Sequence, residues 1–87
     1  MPSRPGYDPR FAAAAVEYFV GLPRRRQRRL LMRVRELAND PFVIPDFASS
    51  DAAGRTISHL VVDELIFEYW VDHAVRQIVI LAIEPVG

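Results

Sequence analysis

Apolar residues recur along the first half of this chain at helical spacing and along the last third at strand spacing. Phe11, Ala12, Ala15, Val16, Phe19 and Val20 fall at i, i+1, i+4, i+5, i+8 and i+9, one stripe of an amphipathic helix. Asp8-Pro9 reads as its start, a capping side chain followed by a proline that needs no N–H in the first turn. Gly21 is a helix-ending residue. Pro23 then opens a second helix that runs to about Ala38, with Leu30, Leu31, Val34, Leu37 and Ala38 on one face. Asn39-Asp40-Pro41 stops it. So short a connection predicts two helices packed as an antiparallel hairpin.

Residues 39–54 form a long connection with Pro41, Pro45 and a polar Ser49-Ser50-Asp51 segment. Phe42, Val43, Ile44 and Phe47 are too apolar to be left in water, so part of this stretch is expected to pack on the domain, with a short edge strand in it. Residues 3–7 could supply a short strand at most. After Gly54 the period changes to two, in the runs Arg55–Val62, Leu65–Asp72 and Arg76–Ile83. Asp63-Glu64 and a turn near His73-Ala74 separate them, and such short connections force antiparallel pairing. Ile78 to Ile83 is apolar on both faces, which marks the most buried strand. The predicted class is α+β: an N-terminal antiparallel helical hairpin packed on a C-terminal antiparallel β-meander of three or four strands. With 87 residues the whole chain, 1–87, is read as a single domain.

Composition narrows the function classes. The chain has no cysteine, which excludes disulfides and thiolate metal sites. The first ten residues lack the apolar core of a signal peptide, and no apolar run approaches the roughly 20 residues that span a bilayer, so a cytoplasmic location is expected and no membrane partner. Net charge is zero, yet residues 1–39 carry nine arginines against Asp8, Glu17 and Glu36, a net +6, while residues 40–87 carry a net −6. Two halves that attract each other explain this division as well as a basic surface for an acidic partner or a nucleic acid.

Chemistry concentrates in a few residues. Arg24, Arg25, Arg26, Arg28, Arg29, Arg33 and Arg35 cover nearly all of the second helix outside its apolar stripe. Three of them sit in the first turn, where the helix dipole is already positive. Met32 lies in the middle of that basic face. The candidate partner-binding or nucleic-acid-binding set is Arg24, Arg25, Arg28, Arg29, Arg33, Trp70 and Arg76. His59 stands mid-strand as a candidate proton-transfer group, with Arg55 to hold a phosphate; a half-buried, hydrogen-bonded histidine is the plainer reading. His73 reads as exposed turn chemistry. Trp70 is placed on the face of its strand away from the helices, where a partner, a second subunit, stacked bases or the 42–47 loop could cover it. No metal-ligand spacing and no cofactor motif is present, so neither a metal nor a cofactor is expected.

The order of elements, with Leu37-Ala38-Asn39-Asp40-Pro41 at a helix end, Gly54-Arg55 opening the sheet, Leu65 to Asp72 in the middle strand and Ile78 to Ile83 in the last, resembles the RelE/ParE toxins of bacterial toxin–antitoxin pairs over roughly residues 8–84. The resemblance implies a compact helix-and-sheet domain held inactive by an antitoxin protein. For RelE-type toxins it implies cleavage of messenger RNA within the ribosome, and for ParE-type toxins poisoning of DNA gyrase. The sequence departs from the ribonuclease pattern in three places. Its sheet has no lysine, Asp63-Glu64-Leu65-Ile66 replaces the arginine before the middle strand's tyrosine, and Glu84-Pro85-Val86-Gly87 stands before any tail arginine or tyrosine. Arg55 and His59, with Arg76, remain as the catalytic candidates. Rival expectations are a non-catalytic binding module that has kept the fold, with a homodimer through its sheet edge or the Trp70 face, and sequence-independent nucleic-acid binding through the second helix.

Overall fold

The structure is a computed structural model that describes residues 6–86. The chain runs β1 (Asp8–Phe11), α1 (Ala13–Val20), α2 (Arg24–Asn39), β2 (Phe47–Ser50), β3 (Thr56–Val62), β4 (Leu65–Asp72) and β5 (Gln77–Pro85). The five strands form one sheet in the order β1-β5-β4-β3-β2. From β2 to β5 each strand is antiparallel to the next, whereas β1 lies parallel to β5, so the sheet is mixed. Among the described residues no helix is long and apolar enough to cross a membrane.

The largest correction concerns residues 8–11. Asp8-Pro9 does not start a helix; it starts β1, and α1 begins only at Ala13. The open edge of β5 decides this. Asp8 N–H donates to the Arg76 carbonyl and Ala12 N–H to that of Ile80, so the segment satisfies its backbone along a neighbouring strand. An Asp-Pro pair suits either structure, and Phe11 reaches the core from the strand. Of residues 3–7, only Gly6 and Tyr7 lie among the described residues; the strand forms just after them.

With four residues taken by β1, α1 keeps only two turns, and each helix packs chiefly on the sheet, α1 on β5 and α2 on β1 and β3. The expected hairpin packing of helix on helix is therefore not the main contact. One link between them is the Gln27 side-chain amide, which donates to the Phe19 carbonyl at 3.1 Å. The core lies between this helix layer and one face of the sheet, with Ala15, Leu30, Val34 and Leu37 against Leu60, Leu65, Phe67, Tyr69, Ile78 and Ile80. Burial of Phe67 alone, which has no exposed surface, contributes about 2–3 kcal/mol. Leu31, expected on the apolar face of the second helix, is instead exposed.

Two irregularities explain the sheet. Pairing between β4 and β5 shifts from Glu68↔Ala82 to Tyr69↔Ile80, so Leu81 is an extra residue in β5. This bulge lets Ile78, Ile80 and Ile83 all be buried despite their odd spacing, and it accounts for a strand that reads as apolar on both faces. Between β3 and β4, Asp63 and Glu64 have φ of 52° and 66° and close a two-residue hairpin. That geometry prefers Asn-Gly, so Glu64 carries backbone strain there.

The 39–54 connection does contain an edge strand, β2, but its apolar side chains are not withdrawn from water. Val43 packs on the core, whereas Phe42, Ile44 and Phe47 are exposed. Phe42 and Phe47 find shelter only against imidazole rings, those of His73 and His59 at centroid separations of 5.3 and 4.5 Å. Phe42 and Ile44 lie in the connection between α2 and β2, and Phe47 pairs with His59 at the sheet edge.

Candidate functional site

The β2–β3 loop is built by one carboxylate. Asp51 Oδ1 accepts the backbone N–H of Ala53 and of Arg55, each at 2.9 Å, and Oδ2 accepts the Arg55 Nε–H at 2.8 Å. Gly54, with φ of 84°, supplies the left-handed residue that lets the loop close. The Arg55 backbone N–H and then its guanidinium hold the Asp51 carboxyl below its ordinary pKa. Arg55 is thereby aimed across the sheet, with its guanidinium carbon 4.6 Å from the centre of the Trp70 ring.

Arg55 and Trp70 form one wall of an open cleft of about 460 Å³. Thr56 and Ser58 of β3, Val71 of β4 and Pro41 also line it. The remaining lining residue is His73, from the β4–β5 turn. Its Nδ1 is 2.8 Å from the Tyr7 hydroxyl, and its ring is stacked on Phe42. Tyr7 is itself anchored by its backbone N–H to the Ala38 carbonyl. One cleft therefore gathers a cation, an imidazole tied to a phenol and an indole. Beneath it, burial pushes the Tyr69 phenol above its ordinary pKa, opposed by a hydrogen bond with Ser58.

The sequence-derived candidates separate. Arg55 and Trp70 meet; His59 is not in the cleft. His59 lies about 13 Å along the chain from Arg55, with Nε2 at 3.0 Å from Ser49 Oγ and its ring on Phe47. Arg76 stands exposed in the β4–β5 turn with φ of 55° and does not line the cleft. Arg29 is bound to Asp63 at 3.2 Å and Arg33 to Glu36 at 3.0 Å, while Arg24, Arg25 and Arg28 are exposed and make no ion pair among the described residues. His73 was read from sequence as exposed turn chemistry, and it is an exposed turn residue; its place in the cleft was not foreseen, and Tyr7 was not singled out. They stand 66 residues apart, and no local pattern links them. Among the described residues no group of three or more His, Cys, Asp or Glu is placed to hold a metal ion.

No protein-family model and no curated protein matches the sequence. Solved structures do match in three dimensions. A chain of the archaeal RelE–RelB complex from Pyrococcus horikoshii is 19% identical, with a TM-score of 0.79 over 94% of this chain and 97% of that one. A chain of the RelBE2 toxin–antitoxin complex from Mycobacterium tuberculosis is 17% identical, with a TM-score of 0.74 over 92% and 91%. The isolated RelE toxin of E. coli is 12% identical, with a TM-score of 0.67 over 93% and 85%. The chain has the fold of the RelE toxins, in agreement with the resemblance read from its sequence.

Proposed function

We propose that this chain is the toxin of a toxin–antitoxin pair, that an antitoxin protein restrains it, and that it inhibits translation by cleaving messenger RNA at the cleft between Arg55 and His73. The observation that carries this reading is the meeting of Arg55, His73 and Trp70 in one cleft of a RelE fold. Cleavage of an RNA phosphodiester needs a base for the 2′-hydroxyl, stabilisation of the charge that builds at phosphorus, and a proton for the departing 5′-oxygen. In the tautomer whose Nδ1–H donates to the Tyr7 hydroxyl, the His73 Nε2 lone pair takes the 2′ proton. The new O2′–P bond then forms as the P–O5′ bond breaks, and the leaving oxygen is protonated from His73 or from water. Arg55 faces the phosphate, and Trp70 presents a ring on which a base can stack. In this assignment Arg55 keeps the role expected of it, and His73 takes the role expected of His59.

A second reading has its own support. The Arg55 guanidinium is already engaged by Asp51 and by Trp70, and the sheet has no lysine. Both facts favour a non-catalytic module that binds protein through the same fold.

Incorporation of labelled leucine and thymidine after induced expression of the chain alone tests these readings. Early loss of leucine incorporation, abolished by Arg55→Ala and by His73→Ala, is the expected result. Earlier loss of thymidine incorporation would replace it with gyrase poisoning, and no effect from soluble folded protein would leave the non-catalytic module.

A further inference from the structure

The arginines of α2 fall into two sets. Arg26 and Arg29 reach Asp63 in the β3–β4 turn, with Arg26 also 3.7 Å from Glu64, and Arg33 pairs with Glu36. Arg24, Arg25, Arg28 and Arg35 are exposed and make no ion pair among the described residues. At 100° per residue Arg24, Arg28, Arg35 and Leu31 fall within an arc of about 60°, a single stripe on the solvent side of the helix, with Arg25 about 60° beyond its edge. It extends over about 16 Å at 1.5 Å per residue. Glu36 is the one carboxylate of α2 and lies about 100° round from the stripe. No side chain caps the helix N-terminus and its first turn holds no acid, so the dipole adds to this positive field rather than opposing it.

We propose that this stripe is the docking face for an acidic amphipathic helix of a protein partner. Two observations favour protein over nucleic acid. Leu31 is 36% exposed and Met32 61% exposed, both interleaved with the arginines. A phosphate backbone makes no use of apolar side chains flanking the arginines, whereas protein interfaces combine apolar contacts with arginine in this way. The field of the whole chain also matters. Its net charge is zero and its isoelectric point about 6.7, unlike the strongly basic domains that gather nucleic acid from a distance. A short acidic helix needs only the local patch. The spacing of Arg24, Arg28, Leu31 and Arg35, at i, i+4, i+7 and i+11, is that of one helix meeting another along a seam. The identification of the partner as an antitoxin rests on the function proposed above; the surface itself rests on α2 alone.

The test is fluorescence anisotropy with the full chain and a labelled synthetic helix about three heptads long, with leucine at the seam positions and glutamate elsewhere. A peptide of the same composition scrambled to destroy the apolar stripe, and a single-stranded RNA of equal charge, serve as competitors. The amphipathic peptide is expected to bind at least ~10-fold more tightly than the scrambled one. The triple variant Arg24→Glu/Arg28→Glu/Arg35→Glu, checked for folding by circular dichroism, is expected to weaken it ~100-fold or more, and Leu31→Ala about 5-fold. Equal binding of the two peptides, binding of neither, or preferential binding of the RNA through the same arginines would each overturn the proposal. Leucine incorporation in cells is a separate readout, so the toxin reading and this surface can fail independently.

Discussion

Asp51 holds Arg55 at two points, its Oδ1 accepting the Arg55 backbone N–H at 2.9 Å and its Oδ2 accepting Nε–H at 2.8 Å. One carboxylate thus shapes the β2–β3 loop and sets the direction of the guanidinium that stands over Trp70. Any phosphate entering the cleft meets an arginine already oriented but also already paired with a carboxylate.

Acid should release that grip. The folded-state pKa of Asp51 lies below the ordinary 3.8, so the stabilisation is complete above that value and is lost as pH falls through the lower, folded one. Thermal melts between about pH 5 and pH 2 are expected to show a steeper loss of Tm for the wild-type chain than for Asp51→Asn. Parallel curves would mean that the Asp51–Arg55 pair adds nothing to folding.

The two histidines are separated by substitution. His73→Ala and Arg55→Ala are each expected to lower RNA cleavage ~100-fold or more, the usual scale for a proton-transfer group or a charge stabiliser. His59→Ala, outside the cleft, is expected to stay within ~3-fold of the wild type. The reverse ranking in a cleavage assay would return the chemistry to β3 and its outer face.

Glu64 is the wrong residue for its backbone. A left-handed residue with a side chain costs about 1–2 kcal/mol, which glycine avoids at an entropic cost of about 0.5–1 kcal/mol. Its ion pair with Arg26 is long and exposed, so little is lost with the side chain. Glu64→Gly should stabilise the chain by about 0.5–1 kcal/mol in urea unfolding. A loss of stability would show that the ion pair outweighs the strain.

Tyr69 makes the core sensitive to alkali. Its folded-state pKa is raised above 10.0, chiefly by burial, so the neutral phenol is the form the fold accepts. The stabilisation is complete below that pH and is lost as pH climbs toward the raised value. Tyr69→Phe is expected to unfold at a higher pH than the wild type. An unchanged alkaline midpoint would point to some other group.

The parts read correctly from sequence were those whose signal is local. Leu65–Asp72 is rich in strand-forming residues, is bounded by turns on both sides and is β4 residue for residue, with Leu65, Phe67 and Tyr69 buried. The second helix was legible to within a residue at each end, since Pro23 and Asn39-Asp40-Pro41 punctuate it whatever surrounds it. Residues 8–11 failed for the opposite reason. Their fate depends on the open edge of β5, nearly seventy residues later in the chain.

The same division governs the site. Arg55 and Trp70 could be named from sequence because a loop arginine and an outward indole on a half-buried strand stand out locally. His73 could not, since in sequence it is a turn residue and becomes a cleft residue only when Tyr7 and Phe42 are brought to it. Hydrophobic period and helix punctuation by themselves determined that this chain has two helices followed by antiparallel strands, with a surplus of arginine on one of the helices. Tertiary structure alone decided which edge recruits β1, which arginines are neutralised and which histidine shares a cleft with Arg55. These are contacts between distant segments, and their energy exists only once the core has brought those segments together.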